Sequence, residues 1–120
     1  MTVQLDFIGA SGVAYRYVAR EGQRVSPSGG NFVFVRETPE GMAVIYVGEA
    51  ESLSALDEAP WAEAQSRFGA THAFVRLNVT AAIRRSERND LLAAYDPPLN
   101  AVYRDATERG SDPAPDARQG

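Results

Sequence analysis

Apolar and polar residues alternate with a period of two along 3–8 (Val-Gln-Leu-Asp-Phe-Ile) and more loosely along 14–20, with Gly9 and Gly12 between the runs. This predicts a β-hairpin. After the loop-forming Ser26-Pro27-Ser28-Gly29-Gly30, residues 32–36 and 43–47 are rich in β-branched and aromatic side chains. Thr38-Pro39-Glu40-Gly41 joins them, with Pro presetting a turn and Gly free to take positive φ, so a second hairpin follows.

The period then changes. Pro60 suits a first helical position, and Trp61, Ala64 and Phe68 share one face at helical spacing, which makes them core, with Gly69 as the stop. Residues 52–58 read as a short helical turn before it. Strand alternation returns at 72–78, with Ala73, Val75 and Leu77 on one face and His72, Phe74, Arg76 and Asn78 on the other. Thr80 is placed to cap a helix over 81–95, ended by Pro97-Pro98. From 105 onward no large apolar side chain occurs, which predicts a disordered acidic tail. The order ββ-ββ-α-β-α implies a single α+β domain over 1–104, a small, mostly antiparallel sheet flanked by helices.

With 120 residues the chain has room for one domain. It has no cysteine and one histidine, which removes thiol chemistry, disulfides and multi-histidine metal cages; any metal would need oxygen ligands. No run reaches the roughly 20 apolar residues of a membrane span, and the opening residues lack a signal-peptide layout, so no membrane association and a cytoplasmic location are expected. The net charge is −4, and all twelve basic residues are arginine. That balance is a poor match to a nucleic-acid footprint. Locally, residues 49–67 hold five acids against Arg67, while 81–95 hold Arg84, Arg85 and Arg88 against Glu87 and Asp90. Phosphate would be repelled by the first segment and only weakly attracted by the second, so DNA binding, if any, should be weak and salt-dependent.

One arrangement is more specific. Gly30-Asn31-Phe32, then Tyr46-Val47-Gly48, a helical region, and a later helix leading into Pro97-Pro98-Leu99-Asn100 resemble the GIY-YIG nuclease domain over about residues 28–100, preceded by an extra N-terminal hairpin. The resemblance implies a metal-dependent phosphodiesterase site holding one Mg²⁺, with Tyr46 as general base or water-orienting phenol, a helical carboxylate as metal ligand, and Asn100 completing the site. Gly48, and from their own chemistry His72, Arg76, Arg84 and Arg85, are the candidate substrate-binding residues. The first-motif tyrosine is replaced by Phe32, and the arginine expected about eight residues after Gly48 falls on Leu56. These departures remove a proton-handling phenol and a cation for the transition state.

The carboxylate position is contested. The spacing usual in the family the chain resembles, counted back from Pro97-Pro98-Leu99-Asn100, lands on Arg88, whereas at 100° per residue Glu87 falls within the apolar stripe of Ile83, Leu91, Ala94 and Tyr95. An inward carboxylate is costly unless paired or used, which favours Glu87. Each candidate also has a plainer role. Glu87 could pair with Arg84 or Arg85, Tyr46 could pack in a strand, Gly48 could serve the backbone, Asn100 could bond to main chain, and His72 could be a polar-face residue. Three functions are therefore expected from the sequence: a degenerate GIY-YIG-like domain with a nucleic-acid or partner-binding role, an active endonuclease with an arginine relocated to 76, 84 or 85, or an acidic protein-interaction adaptor.

Overall fold

The computed structural model describes residues 4–20, 27–55 and 58–110. Strands β1 (Gln4–Ile8), β2 (Ala14–Ala19), β3 (Gly30–Thr38), β4 (Gly41–Ala50) and β5 (His72–Leu77) accompany helices α1 (Glu58–Phe68), α2 (Ala81–Tyr95) and α3 (Pro98–Gly110), with a 3₁₀ turn at Leu53–Ala55. The strands form one sheet in the order β1-β2-β5-β3-β4. Every pairing is antiparallel. The α+β architecture expected from the sequence is therefore present. Among the described residues no helix is long and apolar enough to cross a membrane.

The tight hairpin explains half of this order. Thr38 and Gly41 face each other, Gly41 has φ 134°, and the Thr38 hydroxyl donates to the Gly41 carbonyl at 2.8 Å. The remaining edge of β3 is taken by β5, whose Ala73, Phe74 and Val75 are buried in succession because helices cover both faces. The N-terminal hairpin then docks through β2 onto β5, pairing Val18 with Val75 and Ala19 with Phe74. On one face Phe32, Phe34, Ile45 and Val75 pack with Ala64 of α1 and Leu99 of α3. The opposite face carries Phe7, Tyr17, Val33, Val47 and Phe74 under Leu91 of α2. The helical stripe read from the sequence lies in the first core, with the Trp61 ring edge-on to Phe34 at 4.9 Å.

Two expectations need correction near the helix ends. Thr80 occupies the position before α2, yet its side chain makes no capping bond. Pro97-Pro98 ends α2, with Asp96 in the left-handed conformation at φ 44°, but the same prolines open α3. Pro98 is suited to a first helical turn because no partner is required there for its absent N–H. Leu99, Val102 and Tyr103 then share one face of α3 and pack on the core, and the helix continues to Gly110, six residues into the segment expected to be disordered. The rest of that tail lies outside the described residues.

Helix α2 is tied to the turn of the first hairpin through Asp90. Its carboxylate accepts bonds from the Ser11 amide at 2.8 Å, the Ser11 hydroxyl at 2.6 Å and the Tyr15 hydroxyl at 2.7 Å. Gly9 lies so close to this carboxylate that a Cβ there would collide with it. The Ser11 hydroxyl, then the Tyr15 hydroxyl, hold the Asp90 carboxyl below its ordinary value of 3.8, whereas burial and then the Asp90 bond raise the Tyr15 hydroxyl. A depressed folded-state pKa contributes stability above the unfolded value and loses it as pH falls through the folded one. Denaturant titrations of wild type and Asp90→Asn between pH 7 and pH 3 should show a stability gap that is largest at neutral pH and narrows below about 4. A gap independent of pH would assign the tether to geometry alone.

Candidate functional site

The alternation of three adjacent strands places a polar row on the face beneath α2. Glu49 of β4 lies opposite Asn31 of β3, and Asn31 opposite Arg76 of β5. Tyr17 of β2 belongs to the same face. Helical spacing brings Arg84, Glu87 and Leu91 down onto this row as the buried residues of α2. Glu87 is only 3% exposed, as its position in the apolar stripe implied.

Both carboxylate oxygens of Glu87 are occupied. Oε2 accepts from the Tyr17 hydroxyl at 2.6 Å, while Oε1 accepts from Arg76 Nε at 3.1 Å and Asn78 Nδ2 at 3.2 Å. Its ion-pair partner is therefore Arg76 rather than the expected Arg84 or Arg85. Burial, and then the bond to Glu87, push the Tyr17 hydroxyl well above the ordinary tyrosine value, so it stays a donor. Asn31 is fully buried; its Nδ2 donates to the Arg84 carbonyl at 3.0 Å and its Oδ1 accepts from Asn78 at 3.0 Å. Arg84, 5% exposed, donates to Glu49 at 3.1 Å and to the carbonyls of Asn78 and Val79 at 3.2 and 2.9 Å. Arg88 completes the set through Glu49 at 3.4 Å, while its Nε is buried without a hydrogen-bond partner. Arg76 also lies over the Tyr15 ring, 5.7 Å from its centroid.

Tyr46 lies on the other face of the sheet. It pairs with Phe34 across β3 and β4, stacks on that ring at 5.7 Å, and meets Tyr103 edge-on at 5.7 Å. Asn100 is at the outer edge of β4, where Oδ1 accepts from the Val47 amide at 2.8 Å and Nδ2 donates to the Val47 carbonyl at 2.9 Å. The expected convergence of Tyr46, Glu87 and Asn100 is thus not met, because consecutive strand residues point to opposite faces and the Asn100 amide is taken by main chain. Of its expected roles, Asn100 fulfils the side-chain to main-chain one.

The expected substrate contacts are dispersed as well. A Cβ on Gly48 would lie 2.5 Å from Phe32 Cζ, so Gly48 admits the Phe32 ring rather than a substrate. His72 shares the Arg76 face, as alternation predicted, but lies opposite Val35 while Arg76 lies opposite Asn31. Its Nδ1 is 2.8 Å from the Thr71 hydroxyl oxygen. Arg84 is structural, and Arg85 is exposed, with no ion pair among the described residues. None of Arg76, Arg84 and Arg85 shares the Tyr46 face, and Leu56 lies outside the described residues. A Mg²⁺ ion does not fit at Glu87. Hard cations require available anionic oxygens, whereas Glu87 and the neighbouring Glu49 are bonded to arginines 76, 84 and 88. Among the described residues no group of three acidic or histidine side chains could hold a metal.

Comparisons of the chain with family models, curated proteins and solved structures find no match. The polar cluster therefore stands on its own chemistry. Sequence reading missed Tyr17, Asn31, Glu49 and Asn78 as its members. The available signal was Asn31, a polar residue beside the apolar run 32–35 of its strand and on the face opposite Phe32.

Removing the Glu87 carboxylate leaves the Tyr17 hydroxyl buried without its acceptor and Arg76 without its partner. Glu87→Ala should cost on the order of 2–4 kcal/mol in chemical denaturation, with Glu87→Gln losing less because one amide oxygen still accepts. Gly48→Ala should cost about 1–3 kcal/mol by overpacking, and the cost should shrink in a Phe32→Leu background. Additive Gly48 and Phe32 effects would separate the two residues.

Proposed function

We propose that this chain is a non-cleaving protein-binding module built on a layout similar to the GIY-YIG nuclease domain. The similarity is supported by element order and by the two motifs lying on paired strands, with Phe32 opposite Gly48. The observation that carries the non-cleaving reading is the state of Glu87. Its two oxygens already accept from three protein donors, so this carboxylate is engaged in the fold and is not held open for a metal beside a scissile phosphate.

Charge favours a protein partner over a duplex. Of the arginines on α2, Arg84 is buried on Glu49 and main-chain carbonyls and Arg88 faces Glu49, so Arg85 alone is left uncommitted on that helix among the described residues. Duplex affinity scales with the number of phosphates neutralised, and one free guanidinium on this helix of an acidic chain neutralises few.

Incubation with supercoiled, branched and single-stranded DNA in Mg²⁺ or Mn²⁺ should give no cleavage, and fluorescence anisotropy should detect no salt-sensitive binding. Metal-dependent cutting by wild type that is lost in folded Glu87→Gln would overturn the non-cleaving reading. Retention of DNA at low salt with a steep salt dependence would overturn the preference for a protein partner.

A further inference from the structure

Away from the polar row, the end of the β3–β4 hairpin, the C-terminus of α1 and the start of α3 line an open groove of about 420 Å³. Small-molecule sites occupy about 300–1,000 Å³ and combine apolar walls with a few placed polar groups. The walls here are Val44, Ile45, Phe68 and Pro98, and Arg36 and Arg67 are the charged residues that line it.

The two arginines differ in commitment. Arg67 is held by Glu63 at 2.8 Å and lies over the Phe68 ring, 5.6 Å from its centroid, so one nitrogen is used and the fork is oriented. Arg36 is exposed and has no ion pair among the described residues. Its stem runs beside Gly69, where φ is 71° and a Cβ would sit 3.4 Å from Arg36 Cδ. With Glu63 neutralising one of the two cations, the groove presents one unmatched positive charge beside apolar surface. A single negative charge matches it, and a planar carboxylate suits two guanidiniums better than a point charge does. Helix α3 begins and helix α1 ends at this groove, so their end potentials oppose each other and the arginines set its charge.

We propose that the groove between Arg36 and Arg67 binds a small monocarboxylate with an apolar body. The carboxylate lies between the guanidiniums and the body lies against Val44, Phe68 and Pro98. This site is separate from the Glu87 cluster and does not depend on the binding-module reading.

The test is an amide chemical-shift titration of the whole chain with hexanoate and 3-phenylpropionate, using hexanol and 3-phenylpropanol as uncharged controls and phenyl phosphate as a dianionic one. Saturable shifts are expected at residues 43–45 and 67–69, with the Arg36→Ala variant weaker by about tenfold, the loss of one charge-assisted contact, and the alcohols weaker still because they lose both. Arg36→Ala removes an exposed side chain and should fold normally; its unperturbed spectrum serves as the check, and Arg36→Lys should recover part of the affinity. Equal binding of acid and alcohol, shifts that map elsewhere, unchanged affinity in folded Arg36→Ala, or no saturable shift with either acid would overturn the proposal. Tighter binding of phenyl phosphate would overturn the carboxylate assignment.

Discussion

A carboxylate buried between a helix and a sheet must be satisfied on both oxygens, and the way Glu87 is satisfied constrains the whole molecule. Its donors come from β2, from β5 and from the residue just after β5. Desolvating the charge costs several kcal/mol unless those donors are in place, so the bonds set the rotation of α2 and the docking of the N-terminal hairpin together. A one-residue slip of β5 would turn Arg76 to the opposite face and leave Glu87 without its cation. The other members of the cluster extend the same constraint to β3 and β4, since Asn31 and Glu49 each bond to Arg84.

The sheet divides the chemistry of the chain between two faces. Under α2 the aromatic core of Phe7, Tyr17 and Phe74 gives way to an ionic row at one end of the strands. On the opposite face Phe32, Phe34, Tyr46 and Trp61 form a continuous ring cluster. Val47 belongs to one face and Tyr46 to the other, one residue apart. No rotamer change brings a phenol and a carboxylate together across a covered sheet. This is the reason Tyr46 and Glu87 do not share a cleft.

The two sheet edges are protected by different means. Asn100 offers β4 one donor and one acceptor, imitating a short stretch of neighbouring strand and occupying the main-chain groups of Val47. At the other edge β1 is only five residues long and carries Asp6, paired with Arg16 at 2.8 Å. Short, charged edges resist edge-to-edge pairing. The Asn100 side chain is therefore better understood as part of the sheet than as part of a site.

Much of this fold is legible in local pattern. Period-two alternation places the first hairpin and β5, and β-rich runs on either side of a Pro- and Gly-containing turn place the second hairpin. Helical spacing places α2 and the Trp61, Ala64 and Phe68 face, and the same spacing turns Glu87 inward. Such features follow from backbone geometry that repeats over a few residues. What Glu87 bonds to was not legible in that way, because Tyr17 lies 70 residues before it and reaches it only once β2 has docked on β5. The start of α3 at Pro98, the burial of Arg84 and the removal of Tyr46 to the far face were likewise decided by strand order and packing. Local periodicity tells a side chain which way to face. Only the tertiary arrangement supplies the distant donors and acceptors that determine whether a buried polar group becomes structure or chemistry.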